Sequence, residues 1–255
     1  MTTQAPKPDE FYVGYLPLPW GHSRFLRIAV PVMLWLLLGV SIGIAWTQRG
    51  PGEAVWDDGV ERTWTGLMRV SPYPMLQIDA GADAGSVALI VEQGKHGSRE
   101  RCLPFDGARV RLRGWRLERD GRRIIELSPD VDAIEREGDQ GSGGESARLE
   151  SGEAITLRGE IMDAKCFLGA MKPGEGATHR SCAILCITGG IPAMLVTRDE
   201  HGAASYHLLV SQDGEGPMPT EFVQMVGEPV TVTGRRGWIG DLGVLLVDRG
   251  SVTRR

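Results

Sequence analysis

Residues 107–130, GARVRLRGWRLERDGRRIIELSPD, can be laid without gaps on residues 227–250, GEPVTVTGRRGWIGDLGVLLVDRG. Gly107, Val110 and Gly114 then coincide with Gly227, Val230 and Gly234, and each segment closes on an apolar strand-like run. Upstream, TWTG ending at Gly66 mirrors TLRG ending at Gly159. An internal duplication is the economical explanation. Each copy reads as a strand, an irregular excursion, a central hairpin, a short helix and a closing hairpin. In the second copy these are Ile155–Met162, Ala193–Thr197 with Ser205–Val210, Thr220–Met225, and Val230–Thr233 with Val244–Val247.

Five short strands with a helix before the closing hairpin predict a small Greek-key barrel of the OB type. The expected fold is therefore mainly β, with an N-terminal transmembrane helix followed by two small OB-like barrels at 55–131 and 152–252. Between them, residues 132–151 (DAIEREGDQGSGGESARLES) lose aromatics and alternation, and their Gly, Ser and acidic content predicts a flexible linker.

Three of the four cysteines and one of the five histidines fall in GEIMDAKCFLGAMKPGEGATHRSCAILCITGGIPAMLV, which starts at Gly159. If Thr178 caps a helix that Gly189 and Gly190 stop, His179, Cys182 and Cys186 share one face. Cys166, at the end of the preceding strand, can swing over that face on a Gly-rich segment. Three thiolates and an imidazole are the donor set of a closed tetrahedral site, zinc foremost, with copper or iron as alternatives. The spacing is neither a zinc ribbon nor a CxxCH haem site. Two other readings stay open: a disulfide from Cys166 to Cys182 or Cys186, and redox-active thiols. Asp163 is a candidate general base for a metal that keeps an open position, and is equally placed to orient His179 or cap a turn. In the first copy Pro72, Tyr73 and Pro74 stand where the second has the Cys166 region, and His96 with Cys102 cannot close a site. Cys102 is expected to be a packed or free thiol, and His201 and His207 to face solvent.

GEIMDAKCFLG, HRSCAILC and GGIPAMLV resemble an uncharacterised group of bacterial exported or membrane-anchored proteins. Their OB-like domain has a first-strand cysteine and a helix carrying HxxCxxxC. The resemblance covers mainly 155–250; it implies the fold and singles out Cys166, His179, Cys182 and Cys186 without implying a reaction.

From Ile28 to Trp46 the chain carries no charge over 19 residues, nearly enough to cross a ~30 Å hydrocarbon core. Residues 25–47 are read as an anchor that is not cleaved, since the run is long, begins late and lacks a small-x-small site. Lys7, Arg24 and Arg27 precede it and Arg49 alone follows closely, so segment 1–24 is placed in the cytoplasm and the barrels in the periplasm of an inner-membrane protein. Gly39 and Gly43 form a GxxxG pair suited to a helix partner.

A net formal charge of −5 argues against a general nucleic-acid binder. Alternation in ARVRLRGW puts Arg109, Arg111 and Arg113 on one strand face, a candidate surface for anionic lipid or an acidic partner protein. No GxSxG, HExxH, Walker loop or dinucleotide fingerprint occurs. No small-molecule substrate is identifiable. The reading is a binding or assembly module at a membrane or periplasmic partner, accessory to a redox or metal-handling system. A thiol- or metal-dependent enzyme and a metal-free, disulfide-stapled binding domain are the alternatives.

Overall fold

The structure, a computed structural model, describes residues 20–47, 54–137, 149–172 and 174–255. Segment 1–19 and the middle of the expected linker, 138–148, lie outside the described residues. Helix α1 (Trp20–Thr47) falls in a compact unit separate from the rest of the chain. Among the described residues it is the one helix long and apolar enough to cross a membrane, and none of its apolar window is buried, unlike the core helix of a soluble protein.

Residues from Pro51 onward form one compact unit containing two closed five-stranded barrels. The first comprises β1 (Ala54–Arg69), β2 (Met75–Ile78), β3 (Val87–Val91), a short helix α2 (Arg99–Cys102), β4 (Arg109–Arg119) and β5 (Arg122–Leu127), with β6 (Ile134–Arg136) added to β4. The second repeats the strand plan with β7 (Glu150–Asp163), β8 (Ala193–Arg198), β9 (Ala204–Ser211), a short helical turn (Thr220–Met225), β10 (Pro229–Ile239), β11 (Leu242–Val247) and β12 (Val252–Arg254), and inserts helix α3 (Arg180–Thr188) between β7 and β8. Both rings run in the order first, second, third, fifth, fourth strand and close back on the first. In both, the third and fifth strands pair in parallel, giving the OB connectivity. Two parts of the expected linker are strand: Ile134–Arg136 pairs with β4, and β7 begins at Glu150. A buried Ile134 explains the first of these, because it packs into the first barrel's core.

The glycines that aligned in sequence do the same job in each barrel. A Cβ on Gly66 would stand 2.1 Å from the Gln77 carbonyl oxygen, and one on Gly159 2.2 Å from that of Val196. Likewise Gly114 meets the Glu126 oxygen at 2.1 Å and Gly234 that of Leu246 at 2.4 Å. At these close approaches between strands only glycine fits.

Strand alternation divides the apolar residues between three cores. Ala88, Ile90, Val110, Leu112, Ile125 and Leu127 fill the first barrel, and Leu195, Leu209, Val230, Val232, Leu245 and Val247 the second. The opposite faces of the same strands form a third cluster, in which Val87, Leu89, Val91 and Ile124 are buried with Met194, Leu208, Val210, Val244 and Leu246. Equivalent walls of the two barrels are thus packed back to back. This seam is why β3 and β11 are apolar without interruption, the pattern of strands buried on both faces. At about 1.5–3 kcal/mol per fully buried aliphatic side chain, the seam outweighs any set of rim contacts. Reciprocal bonds flank it. Asp241 Oδ1 accepts the Val87 N–H at 2.7 Å, while Asp120, at the matching tip of the other barrel, accepts the Tyr206 hydroxyl. Tyr73 fills the place that the cysteine-bearing excursion occupies in the second copy. Its hydroxyl donates to the Leu209 carbonyl at 3.1 Å and accepts the Met218 N–H at 3.0 Å.

Candidate metal centre

Strand β7 ends at Asp163, and the chain turns at once into a π-helical turn, Cys166–Ala170, closed by the Met171 N–H on the Cys166 carbonyl at 3.1 Å. Asp163 organises this corner. Its Oδ1 accepts the Cys166 N–H at 2.8 Å, and its Oδ2 lies 2.9 Å from His179 Nε2. The carboxylate is fully buried and His179 is 3% exposed, so the pair fixes the imidazole without competition from water. Asp163 therefore contacts both the turn and His179. With Nε2 committed to the carboxylate, Nδ1 is the nitrogen left to take a ligand.

The loop after the π-helical turn is pinned by Glu160, whose carboxylate accepts the Gly176 N–H at 2.6 Å. Burial holds the Glu160 pKa above the usual carboxylate range. Helix α3 then starts one residue later than expected: His179 itself, and not Thr178, occupies the N-cap position. The reason is that the His179 side chain is tied to Asp163 and its N–H to the Gly176 carbonyl at 3.0 Å. Arg180 bonds Glu228 and, at 2.9 Å, the Gln224 carbonyl, fastening α3 to the short helical turn Thr220–Met225.

These restraints bring the four residues singled out from sequence together, as two overlapping triads that share Cys166. The ligand atoms of Cys166, His179 and Cys182 lie within 4.8 Å of one another, and so do those of Asp163, Cys166 and Cys186. All four cysteines are free thiols, and Cys166 Sγ is 4.0 Å from Cys186 Sγ. Two thiolates on a tetrahedral zinc stand about 3.8 Å apart, given Zn–S bonds near 2.3 Å. Either triad could hold a metal ion. Electrostatically the two inner thiols are unequal. Donation from Cys166 to Cys186 drives the Cys166 pKa far up, with burial adding to it, and draws the Cys186 pKa down to about 7.

One member of the cluster carries no signal in the sequence. Lys95, from the first barrel, places Nζ 2.6 Å from Cys182 Sγ and 3.7 Å from Cys186 Sγ. Its pKa is raised, chiefly by the bond to Cys182. A second lysine, Lys165, crosses the seam the other way. Its Nζ lies 3.1 Å from Glu126 Oε2 and donates to the Glu92 and Gly94 carbonyls at 2.8 and 2.9 Å.

Other sequence candidates fall elsewhere. Cys102 is wholly buried in the first barrel, where burial pushes its pKa up to about 11, and His96 is exposed. His201 is exposed as expected, but His207 is not: it is 6% exposed, because β9 is covered on both faces. Arg109, Arg111 and Arg113 do share a face, yet each is paired within its own barrel. Arg109 holds Asp79 and Glu137, Arg111 holds Glu137, and Arg113 holds Asp130 and Asp132. That face therefore presents balanced ion pairs, and not a row of unneutralised cations. A cleft of about 1110 Å³ lies between Tyr73, His96, Gly189 and Met218. The guanidinium groups at its rim are already bonded, Arg99 to the Val70 carbonyl and Arg101 to Glu92 and the Ser128 carbonyl.

No known protein family, curated protein or solved structure matches this chain. Fold and site define a class on their own terms: a pair of fused OB-like barrels with a buried Cys/His cluster at their seam and a helix apolar enough for a membrane.

Proposed function

We propose that the chain is a membrane-anchored binding or assembly module whose second barrel is built around a Cys3His metal centre. Zinc is the ion the donor set favours; copper or iron would turn the same centre to redox work or metal delivery. The observation that carries this reading is the convergence of Cys166, His179 and Cys182 around an imidazole oriented by Asp163, with Cys186 reached through Cys166. A histidine backed by a carboxylate is the usual companion of a bound metal. Asp163 is engaged by His179 and the Cys166 N–H, an arrangement that favours a closed structural centre over a hydrolytic one with an open position and a general base. The uncharged Ile28–Trp46 run with basic residues ahead of it supports an inner-membrane protein whose barrels stand in the periplasm, beside membrane or periplasmic redox or metal-handling proteins.

The test is elemental analysis of the purified full-length protein and of single variants. Stoichiometric metal is expected, lost in Cys166→Ser, His179→Ala, Cys182→Ser and Cys186→Ser and kept in Cys102→Ser. A metal-free protein whose His179→Ala variant is as stable as the parent refutes the proposal. Thiol chemistry without metal is the second reading, favoured by the three free thiols gathered beside Lys95. A metal-free protein with a reactive thiol at Cys182, the partly exposed member of the cluster, would establish it.

A further inference from the structure

We propose that Lys95, although carried by the first barrel, is a working part of the second barrel's metal-thiolate centre, where its ammonium group holds the ligating thiolates and so retains the ion. This inference rests on the metal reading given above and assigns the otherwise ligand-poor first barrel a role in it.

A divalent ion bound by three thiolates and a neutral imidazole carries one net negative charge, which a neighbouring ammonium cancels. Lys95 Nζ is at charge-assisted hydrogen-bond distance from one thiol, 2.6 Å from Cys182 Sγ, and 3.7 Å from a second, Cys186 Sγ. Its position is over-determined by backbone. The strap 92–98 folds on itself through the Glu92 N–H on the His96 carbonyl at 3.0 Å, and the Gly97 N–H donates to the Gly189 carbonyl at 2.8 Å. Strap and helix end touch main chain to main chain. A Cβ on Gly189 would stand 1.9 Å from the Lys95 oxygen, and one on Gly97 2.3 Å from the Gly190 oxygen. Glycine at both places lets the strap lie against the end of α3, the helix that bears Cys182 and Cys186. Below it, Lys165, the residue before Cys166, donates to the Glu92 and Gly94 carbonyls. The strap is thus bonded both to the segment that presents Cys166 and to the helix that presents the other two cysteines. A long, solvated lysine gains nothing for the fold by reaching a thiol; it gains a charge partner once that thiol is a metal-bound thiolate.

The experiment uses full-length protein in detergent micelles, loaded with zinc and challenged with a chromophoric chelator. Lys95→Met keeps the aliphatic stem and removes the ammonium, Lys95→Arg restores a cation, and His96→Ala perturbs the same strap away from sulfur. Lys95→Met is expected to bind a single zinc and to surrender it about 10- to 100-fold more readily than the parent, the usual range for a group that supports metal ligands. Lys95→Arg should recover most of the loss, and His96→Ala should match the parent. With Co²⁺ in place of zinc, the thiolate-to-cobalt absorption should shift in Lys95→Met and not in His96→Ala, a signature that mere loosening of the strap does not produce. Zinc release and cobalt absorption unchanged in Lys95→Met overturn the inference and leave the metal centre standing. A parent protein that binds neither ion removes the metal reading, and this inference with it.

Discussion

Replacing Lys165 by methionine should destabilise the protein by about 3–5 kcal/mol, the cost of breaking a buried ion pair from one side. Lys165 and Glu126 belong to different barrels, each side chain is 5% exposed, and Nζ and Oε2 are 3.1 Å apart. Methionine keeps the stem but leaves a carboxylate in the seam, together with the Glu92 and Gly94 carbonyls that Nζ now satisfies. The stranded charge decides the size: a solvated pair would be worth only about 0–1 kcal/mol. The duplication supplies the control. Leu246 stands in the second barrel where Glu126 stands in the first, each facing the equivalent glycine, so leucine is a side chain this wall accommodates. Lys165→Met with Glu126→Leu should therefore cost less than Lys165→Met alone, leaving mainly the two carbonyls, at about 1–3 kcal/mol. Urea unfolding of Lys165→Met, Glu126→Leu and the double variant, each full-length in micelles and followed by tryptophan fluorescence, gives all three values. A Lys165→Met cost below about 1 kcal/mol, or a double variant equal to the sum of the singles, would refute a dry, coupled pair at the seam.

His207 adds a pH dependence of definite sign. Burial, then Arg236 and Arg122, push its pKa down to about 4, while the unfolded chain takes up its proton near pH 6.5. Stability should fall by about 2–3 kcal/mol as pH drops from about 6.5 to about 4. His207→Leu should remove most of that slope in urea melts, and a parent with equal midpoints at both ends of the window would contradict it. A protease site inserted between residues 138 and 148 should, once cut, yield two halves that elute together, because one apolar cluster contains residues of both barrels; halves that separate without denaturant would show the seam to be weak. A reporter fused after Arg255 is expected to be active in the periplasm and silent in the cytoplasm, and cytoplasmic activity would reverse the orientation.

Much of the fold is legible locally. Period-two alternation and turn residues are written within a few residues of each other, so β8, β9, β10 and β11 fall where their patterns place them. The gapless correspondence of the two hairpins carries through to identical strand order and to glycines in equivalent close contacts. The Cys/His cluster is legible for a similar reason: three of its members lie on or beside one short helix, and the fourth opens the π-helical turn three residues past the end of β7, not the strand end its position suggested. Less visible was the seam. The unbroken apolar runs of β3 and β11 signal two buried faces but do not name what covers them. Nor did His207 stand out, since a histidine in an alternating strand reads as solvent-facing until the partner wall is known.

The apolar helix, the twofold barrel plan and the donor set follow from the amino-acid order, because each depends on residue type and short spacing. Tertiary structure alone decided that the barrels share a core, that Glu126 meets Lys165, that Arg109, Arg111 and Arg113 are neutralised, and that Lys95 reaches Cys182. Lys95 and Cys182 are 87 positions apart and sit in different barrels. No periodicity links such residues; only the docking of two closed sheets, driven by burial of their outer apolar walls, brings them into contact.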